Sequence, residues 1–321
     1  MRTKFLRYEN FAGNYKHLQI ALLKAFTKRK NLRATNAYRI CNGIADGVNG
    51  LVIDKYANHY QVQFFTPDFS EFETEIVELL KELFNPEFIA VKYRFIDYKQ
   101  IKKAFGDNSK TIVCENDIKF AVDLLDTLNP GLFLDMRDAR LFFAKNCADR
   151  DVLNLFAYTC SFALYARKHN AAKAVNVDIS KKNLNKGKEN YLLNEIEPSQ
   201  GEFFCGSAEE YIDWAIKKGK KFGAIAIDPP SFAKNSKETF CLAKDFGNLA
   251  EKAVKILENN GVILLATNYS KWSYETLLKT AKSAFAANGK AFKLLKKGSQ
   301  GLDFPGSGES KESCMNWIVG C

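Results

Sequence analysis

The sequence predicts an α/β protein: a small α+β domain of the order strand-strand-helix-strand-strand, followed by a Rossmann-like sheet of seven strands. Three observations predict this fold. Short β-rich runs with turn signals fill residues 36–125, strands and helices alternate regularly from Asp151, and two final strand candidates follow the last helix. Regular alternation specifies a parallel sheet with helices on both faces. The expected division is a basic helical leader (residues 1–35), the small domain (residues 36–125) and the α/β domain (residues 126–321).

Length and charge limit the kinds of protein this can be. A chain of 321 residues, 46% hydrophobic and 26% charged, is typical of a globular protein that buries the cores of two domains. A net charge of +10 favours a polyanionic partner such as nucleic acid. Residues 1–35 hold nine Lys or Arg residues against one acid, Glu9, so the leader carries most of this charge. The alternative is a solvated basic helix without a partner.

Cysteine usage and hydropathy indicate the compartment. Eight cysteines and three histidines occur without a Cys-x-x-Cys pair, so we expect no metal site. The first residues have positive charge but no apolar stretch of signal-peptide length, and no run approaches the roughly 20 apolar residues of a membrane span. We therefore expect a reduced, cytoplasmic protein with no membrane partner. The sequence does not indicate an oligomeric state.

The elements of the leader and the small domain follow from periodicity and turn residues. Apolar residues at helix spacing predict a helix from His17 to Lys30, and Asp46-Gly47 and Asn49-Gly50 are turn signals. Ser70 precedes Glu73 by three residues, a capping-box spacing that predicts a helix reaching about Phe84. The predicted strands are Tyr38–Ile44, Leu51–Asp54, Tyr60–Phe65 and Phe88–Arg94, with a hairpin of Thr111–Cys114 and Ile118–Asp123.

The second half of the chain alternates between the two element types. The predicted strands are Val152–Ala157, Ala174–Asp178, Glu202–Cys205, Ala224–Asp228, Val262–Thr267, Ala291–Lys296 and Met315–Gly320. The predicted helices are Phe162–Lys168, Lys181–Asn194, Ala208–Lys218, Cys241–Glu258 and Tyr274–Ala287. Five parallel strands followed by a terminal hairpin fit a seven-stranded sheet better than a six-stranded dinucleotide-binding one.

The turn after the first of these strands is a candidate ligand site. Ligands of open α/β sheets bind beyond the carboxyl ends of the strands at the topological switch point. The segment Phe156-Ala157-Tyr158-Thr159-Cys160-Ser161 would place backbone N–H groups near such a ligand. It lacks the Gly-x-Gly-x-x-Gly pattern that a pyrophosphate requires, which disfavours NAD and is compatible with S-adenosylmethionine (SAM). The alternative is a plain strand-to-helix turn.

Two acidic strand ends complete the candidate site. Asp178 lies 24 residues after Asn154, where a carboxylate can accept both ribose hydroxyls of an adenosyl group. In Asp228-Pro229-Pro230-Ser231-Phe232, the prolines force a rigid extended turn. The Asp228 carboxylate and Pro229 carbonyl become fixed acceptors that can hold an amine in line with a sulfonium methyl. The alternative is a simple loop.

The layout of these signals is that of a SAM-dependent methyltransferase, and Phe232 is a candidate to stack on a base withdrawn from its helix. Upstream, Gly131 to Asp138 joins the two domains. Its Asp135-x-Arg137 pair is expected either to close one wall of the cofactor pocket or to form an exposed ion pair worth less than about 1 kcal/mol.

Several motifs in order resemble a known family, the bacterial large-subunit ribosomal RNA methyltransferases of the cytosine-C5/guanine-N7 group. The resemblance runs from about Tyr38 to Lys279. It rests on DGVNGLVIDKY at 46–56, PGLFLDMR at 130–137, VLNLFAYT at 152–159, VDIS at 177–180 and DPPSFA at 228–233.

The resemblance implies a class I SAM-methyltransferase fold, SAM as cofactor, and ribosomal RNA or an assembling large subunit as substrate. The cofactor residues expected from the resemblance and the strand ends are Phe133, Asp135, Arg137, Asn154, Phe156, Ala157, Tyr158, Thr159, Cys160, Ser161, Asp178, Ile179, Ser207, Ala208 and Asp228. The expected catalytic residues are Asp228, Pro229, Pro230 and Phe232.

The chain departs from the family pattern in three places. A basic leader stands where many members have a small RNA-binding β-barrel. Gly206-Ser207-Ala208 replaces an Asp that often contacts the adenine amine, so Ser207 or Glu209 is the expected substitute. No cysteine follows the fifth strand, in Thr267 to Ser270, and Cys241 is expected too far along, on a helix. Because methylation of carbon 5 of cytosine needs a cysteine nucleophile, a nitrogen target, on guanine, is favoured over cytosine C5.

Three other functions remain open at this point. A methyltransferase of a protein or small molecule is disfavoured by the basic leader. A catalytically silent RNA-binding assembly factor is disfavoured by Asp178 and Asp228. A nicotinamide-dependent oxidoreductase is disfavoured by the missing glycine pattern.

Overall fold

The computed structural model describes residues 15–96, 100–234, 239–269, 271–306 and 315–321. The chain forms two compact units, Met1–Leu134 with Leu302–Glu312 and Asp135–Gly301 with Ser313–Cys321. The three-part division into residues 1–35, 36–125 and 126–321 stays a prediction. No helix in the described ranges is long and apolar enough to cross a membrane.

The first unit is built on a five-stranded sheet. Its elements are α1 (Tyr15–Arg29), β1 (Ala37–Asn42), β2 (Leu51–Tyr56), β3 (His59–Phe64), α2 (Glu73–Phe84), β4 (Phe88–Tyr93), β5 (Ile101–Phe105), β6 (Lys110–Glu115) and β7 (Ile118–Asp123). The strand order is β1-β2-β3-β4-β5, and β6 and β7 form a separate hairpin. Helix α2 is the crossover between β3 and β4, the parallel pair of the sheet.

An N-terminal strand domain is thus present, but strand β5 was absent from the sequence prediction. It runs antiparallel to β4 at the edge of the sheet. Its side chains are half-buried or exposed, and two of its five residues are Lys102 and Lys103. Lysines are common on edge strands because they discourage pairing with another chain, so the segment lacks the apolar alternation of a half-buried strand.

The predicted capping box at Ser70 is wrong. Ser70 lies inside a 3-10 helix, Pro67–Phe72, and its hydroxyl donates to the Pro67 carbonyl. Helix α2 begins at Glu73 with Phe72 at the N-cap, and no side chain caps it. Pro67 starts the helical turn early, because its fixed φ suits the first position of a helix.

Helix α1 is part of the core of the first unit. Leu18 and Leu22 are buried against the apolar face of the sheet, together with Ile40, Val62 and Leu80. Its last residue, Arg29, is also buried and pairs with Asp46 at 2.6 Å. One face of the helix is therefore packed, and its exposed positions carry Lys16, Lys24 and Lys28 together with Ile20 and Leu23.

The second unit contains a seven-stranded sheet, as predicted. Its elements are α3 (Arg137–Ala144), β8 (Asp151–Leu155), α4 (Ser161–Lys168), β9 (Lys173–Asp178), α5 (Lys181–Leu193), β10 (Phe203–Cys205), α6 (Ala208–Lys217), β11 (Phe222–Ile227), β12 (Phe232–Lys234), β13 (Thr239–Cys241), α7 (Leu242–Lys255), β14 (Leu257–Thr267), α8 (Tyr274–Ala287), β15 (Leu294–Ser299) and β16 (Asn316–Gly320).

The strand order is β10-β9-β8-β11-β14-β16-β15. The first five strands in this order are parallel, and β16 runs antiparallel to both of its neighbours. Chain order reverses between β8 and β11, which makes this the switch point of the sheet. The order of the strands is that of a class I SAM-methyltransferase fold.

Helices cover both faces of the sheet. Helices α6, α7 and α8 supply Ile212, Leu249, Phe246 and Leu277 to one core, to which the sheet contributes Ile225. Helices α4 and α5 contact β8 and β9. Because the first five strands of the sheet are parallel, their carboxyl ends lie at one edge.

A short hairpin, β12 and β13, was absent from the sequence prediction. It pairs Phe232 with Cys241 and Lys234 with Thr239. The predicted helix Cys241–Glu258 therefore begins one residue later, at Leu242, and ends at Lys255. The expectation that Cys241 lies on a helix is wrong, since this residue ends β13, where the Asp245 carboxylate accepts from its backbone N–H at 2.7 Å.

Candidate active site

The switch point brings three segments of the sequence to one edge. Strands β8 and β11 are neighbours and β9 lies beside β8. The turn after β8, Asp178 at the end of β9 and Asp228 after β11 therefore lie at adjacent strand ends. This is the crevice in which open α/β sheets bind ligands.

The turn after β8 has an unusual backbone. Phe156, Tyr158 and Cys160 all have positive φ, at 56°, 49° and 64°. Side chains other than glycine adopt this conformation rarely, at a cost of about 1–3 kcal/mol each, and such residues cluster at ligand sites. Thr159 and Cys160 are buried, and the Ala157 N–H donates to the Val177 carbonyl at 2.9 Å. The surrounding structure holds the turn in this shape.

Asp178 is held by the same turn. Its Oδ2 accepts from the Tyr158 backbone N–H, and its Oδ1 accepts from that of Ser180, both at 2.8 Å. Asn183 donates to Oδ1 at 3.5 Å. Burial raises the pKa of Asp178, and these three hydrogen bonds oppose that shift. An ionised carboxylate can accept about four hydrogen bonds, so beside these three it has capacity for one ribose hydroxyl, and for the second where that hydroxyl replaces the long bond from Asn183.

The residues beyond β9 and β10 form the next part of this edge. Ile179 is 42% exposed, which leaves an apolar surface beside Asp178. Ser207 caps α6: its hydroxyl accepts from the Glu210 N–H at 3.1 Å, and the Glu210 carboxylate accepts from the Ser207 N–H at 3.2 Å. Ala208, the first residue of that helix, is buried. Glu209 lies in the same turn and is half-buried.

Asn154 lies beneath the turn rather than at its surface. It is buried, and its carboxamide donates to Asn176 on β9 at 3.0 Å. Asn176 in turn donates to the Tyr191 hydroxyl at 3.2 Å. The predicted contact of Asn154 with the cofactor stays a prediction.

Asp228 follows β11 and is a carboxylic acid with a perturbed pKa. Burial, and to a smaller extent the neighbouring Asp135 carboxylate, raise its pKa to about 7, with Arg140 opposing the shift. A group that titrates near neutral pH can accept and release a proton during a reaction. Such groups cluster at functional sites.

Arg140 was missed by sequence reasoning. It is buried on α3, with its guanidinium 5.7 Å from the centre of the Tyr165 ring. The available signal was its spacing: Arg137 and Arg140 are three residues apart on one helix and so share a face. Arg137 is also buried, which contradicts the alternative of an exposed Asp135–Arg137 ion pair. Both arginines lie in the second unit, in which Asp135 precedes α3 within the 3-10 helix Leu134–Met136.

The two prolines after Asp228 differ in environment. Pro229 is buried and Pro230 is exposed. Ser231 follows, and its hydroxyl donates to the exposed Asn268 carboxamide oxygen at 3.4 Å, which connects the ends of β11 and β14. The side chain of Phe232 lies outside the part of the chain whose side chains the structure describes, so its stacking role stays a prediction.

The β12–β13 hairpin adds residues that the sequence did not indicate. Phe240 lies against Phe156 of the turn after β8, with ring centres 5.1 Å apart. Cys241 is paired with Phe232 across the hairpin, and the Leu242 N–H donates to the Ser231 carbonyl at 3.2 Å. The hairpin therefore brings the backbone of Cys241 close to the segment Asp228-Pro229-Pro230-Ser231, although Cys241 lies ten positions after Ser231 in the sequence.

The chemistry of these groups fits SAM. A half-buried carboxylate with spare acceptor capacity, an exposed isoleucine beside it and a turn with buried Thr159 and Cys160 are suited to an adenosyl group. Phe133 belongs to the first unit, and its side chain is 40% exposed. In the described ranges, no group of three or more His, Cys, Asp or Glu side chains is arranged to hold a metal ion.

Known proteins resemble the chain over most of its length. It is 30% identical over 307 residues to "Putative ribosomal RNA large subunit methyltransferase YwbD" of Bacillus subtilis, covering 90% of this chain and 78% of that protein. It is 28% identical over 287 residues to "Ribosomal RNA large subunit methyltransferase I" of Aeromonas salmonicida, covering 87% and 72%.

A solved structure has the same fold. The crystal structure of "SMU.776, a putative methyltransferase complexed with SAH" matches with a TM-score of 0.88 and 25% identity, covering 96% of this chain and 81% of that one. A family model described as S-adenosylmethionine-dependent methyltransferase matches residues 88–298. The chain belongs to this family and is a SAM-dependent methyltransferase.

Proposed function

We propose that the protein methylates a nitrogen atom of a base in large-subunit ribosomal RNA, in the cytoplasm. The observation that carries the proposal is the Asp228-Pro229-Pro230 corner at the switch point of a SAM-dependent fold. The relatives named as large-subunit ribosomal RNA methyltransferases and the net charge of +10 support an RNA substrate.

The proposed chemistry is mainly positioning. When bound, SAM supplies an electrophilic methyl group on its sulfonium. The Asp228 carboxylate and the Pro229 carbonyl accept hydrogen bonds from an amine of the base and align its nitrogen with that methyl. With a pKa of about 7, Asp228 is also suited to take the proton that an exocyclic amine loses on methylation. A nitrogen needs no covalent catalyst.

The remaining site residues are assigned to the cofactor. In this proposal Asp178 receives the ribose hydroxyls, Ile179 lies against the adenine, and Ser207 and Ala208 lie at its edge. The turn Phe156–Ser161, with Asn154 beneath it, shapes the pocket. Phe133, Asp135 and Arg137 are assigned to cofactor contacts, and Phe232 to stacking on the target base.

The decisive experiment is transfer of labelled methyl from SAM to RNA. Ribosomal RNA and large subunits from cells that lack this gene are the two substrates, and Asp228→Ala is the control. We expect label in a base methylated at nitrogen after digestion to nucleosides. Measurable SAM binding without label in either substrate would contradict the proposal and favour a non-RNA substrate or a silent assembly factor.

Methylation of cytosine at C5 is the second candidate function, and the pairing of Cys241 with Phe232 favours it. In that reaction a thiolate adds to C6 of the ring, C5 takes the methyl group, and loss of the C5 proton expels the thiolate. In this alternative Cys241 would supply the thiolate.

Substitution of Cys241 separates the two candidates. Cys241→Ser should abolish methylation at cytosine C5 and leave methylation at nitrogen within about threefold of wild type. Cys205→Ser, at another accessible cysteine, is the matched control. An RNA that contains 5-fluorocytidine should trap a covalent adduct only in the C5 case, because the fluorine cannot leave as the proton does. Absence of an adduct with active enzyme would rule out C5.

A further inference from the structure

We propose that helix α5 positions the cofactor turn, with Asn190 as the residue that fixes Thr159 and Gly187 as the residue that allows the close approach. The inference concerns SAM binding and rests on the proposed assignment of the Phe156–Ser161 turn to the pocket. It is independent of which base is methylated.

One stripe of α5 faces the two parts of the pocket. Asn183, Gly187 and Asn190 are spaced four and three residues apart, so they share a face of the helix. Asn183 donates to the Asp178 carboxylate at 3.5 Å, and its backbone N–H donates to the Ser180 hydroxyl that caps the helix at 3.2 Å. The start of α5 is therefore fixed to the carboxylate that is assigned to the ribose.

Further along the stripe, Asn190 binds the turn itself. It is buried, and its carboxamide donates to the Thr159 carbonyl at 3.2 Å. Thr159 lies between Tyr158 and Cys160, both with positive φ. A peptide between two unfavourable residues keeps its orientation only if other contacts hold it, because relaxation of either residue would rotate the carbonyl away. The hydrogen bond from Asn190 is such a contact.

Gly187 determines how close the helix lies to the turn. A Cβ atom at this position would lie 2.3 Å from the Cys160 sulfur, 3.0 Å from its Cβ and 3.4 Å from the Thr159 carbonyl carbon. The first distance is well below van der Waals contact, so any larger residue would push the turn and the helix apart. The glycine is required here for space, since its φ is ordinary.

The stripe thus couples both halves of the adenosyl pocket through one rigid element. The Asp178 carboxylate accepts hydrogen bonds from the Tyr158 N–H of the turn and from the Asn183 amide of the helix. The Asn190 carboxamide, on the same helix, donates to the Thr159 carbonyl of that turn. The pocket is formed before the ligand arrives, which lowers the cost of binding.

The first test compares two asparagines on the same helix. Asn194 is also buried, but its carboxamide donates to the backbone carbonyl of Asn190 within α5. Asn190→Ala should raise the Kd for SAM about tenfold, as expected for the loss of one buried hydrogen bond, whereas Asn194→Ala should change it less than about twofold. Calorimetric titration with SAM gives both values, and the Tm of each variant reports the structural cost. Equal effects on SAM affinity would overturn the role of Asn190.

An isosteric change separates hydrogen bonding from volume. Asn190→Asp keeps the shape but turns an oxygen toward the Thr159 carbonyl, so we expect SAM affinity at least as weak as in Asn190→Ala. The KM for SAM should rise while kcat at saturating SAM stays within about twofold, because the turn binds the cofactor without contacting the base. An aspartate variant with wild-type SAM affinity would contradict the inference.

The second test concerns Gly187 and does not depend on the first set of variants folding. Gly187→Ala should raise the Kd for SAM at least about tenfold. Cys160→Gly removes the sulfur and Cβ that the new methyl group would meet, and glycine accepts the left-handed φ of that position without strain. In the Cys160→Gly background, Gly187→Ala should therefore cost less than about threefold. The same cost in both backgrounds would show that the close approach is not what the glycine provides.

Discussion

Two carboxylates at the ends of β9 and β11, on either side of β8, have different surroundings, and this separates their chemistry. Burial raises the pKa of both carboxyl groups, but at Asp178 two backbone N–H groups and the Asn183 amide oppose the rise by stabilising the ionised form. Asp228 lies near Asp135, a like charge, and burial raises its pKa to about 7. The first is therefore suited to hold hydroxyl groups, and the second to exchange a proton.

Asp228 should make the reaction dependent on pH. If the ionised carboxylate is the active form, the single-turnover rate should rise with pH and level off above about pH 7. Asp228→Asn should be much slower and should lose this rise. Rates measured from about pH 5.5 to 9 at saturating SAM provide the test. A wild-type profile that is flat across this range would exclude an essential Asp228 carboxylate.

The same group should also affect stability. The pKa of Asp228 is higher in the folded state, at about 7, than its usual 3.8. The folded protein therefore binds more protons between these values, so this group's contribution to stability falls as pH rises from about 4 to 7. Asp228→Asn should thus be more stable than wild type above pH 7, by about 1–3 kcal/mol after allowance for partial exposure. Urea unfolding of both proteins at low and at neutral pH measures the difference.

Asp178 should control cofactor affinity. Asp178→Asn keeps the shape, but it places an amide beside the N–H groups of Tyr158 or Ser180 and removes the charge. We expect the Kd for SAM to rise by about tenfold or more. Calorimetry with SAM measures it, and Asp213→Asn, an exposed aspartate on α6, is a suitable control. Wild-type affinity in the Asp178 variant would remove this residue from the pocket.

Among the elements, helix α1 shows how one segment combines packing and charge. Its apolar face lies in the core of the first unit, and Arg29 at its end donates to the Asp46 carboxylate and to the Asp303 carbonyl. Burial works to raise the pKa of Asp46, but the bonds from Arg29 and from the Asn42 N–H outweigh it and hold the pKa below its usual value. This pair fixes the end of the helix.

Removal of one partner from this pair should be costly. Arg29→Met leaves the buried Asp46 with Lys28 as its remaining cation and the Asn42 N–H as a donor, so the protein should lose about 3–5 kcal/mol of stability. Lys30→Met, at the next position but exposed, should change stability by less than about 0.5 kcal/mol. Thermal unfolding of both variants tests the difference, and a small effect at Arg29 would mean that Asp46 finds another partner.

The whole molecule carries a net charge of +10, and its basic groups are unevenly distributed. On α1 and the segment after it, Lys16, Lys24, Lys30 and Arg33 are exposed, whereas Arg29 is committed to a buried pair. A test of RNA binding must therefore leave Arg29 unchanged, because its loss would weaken the fold as well as the charge.

Neutralising the four exposed groups should weaken RNA binding. Lys16, Lys24, Lys30 and Arg33 changed to Gln should reduce the slope of log affinity against log salt by up to about 0.7 for each phosphate that is no longer neutralised. The Tm should stay near that of wild type. Four lysines on α6 and after it, Lys217, Lys218, Lys220 and Lys221, provide a set of the same charge as a control. An unchanged slope of log affinity against log salt would mean that these four basic groups do not contact RNA phosphates.

Local signals in the sequence predicted most of the fold. Periodic apolar residues and turn residues located every α-helix of the described chain except the short α3, because both signals depend on neighbours in sequence. They missed β5, whose residues are half-buried or exposed and include two lysines. They also missed the β12–β13 hairpin, whose strands have only three residues each. The class I SAM-methyltransferase fold followed from the order of elements.

The sequence by itself determined the strand ends, and hence that Asp178, Asp228 and the turn after β8 share one edge, since parallel strands present their carboxyl ends together. Only the tertiary structure decided what surrounds them. It brought Asp135 and Arg140 to Asp228, Asn190 to Thr159, and Cys241 back to Phe232. These contacts join residues that are distant in the chain, so they depend on how helices and hairpins pack and not on any local pattern.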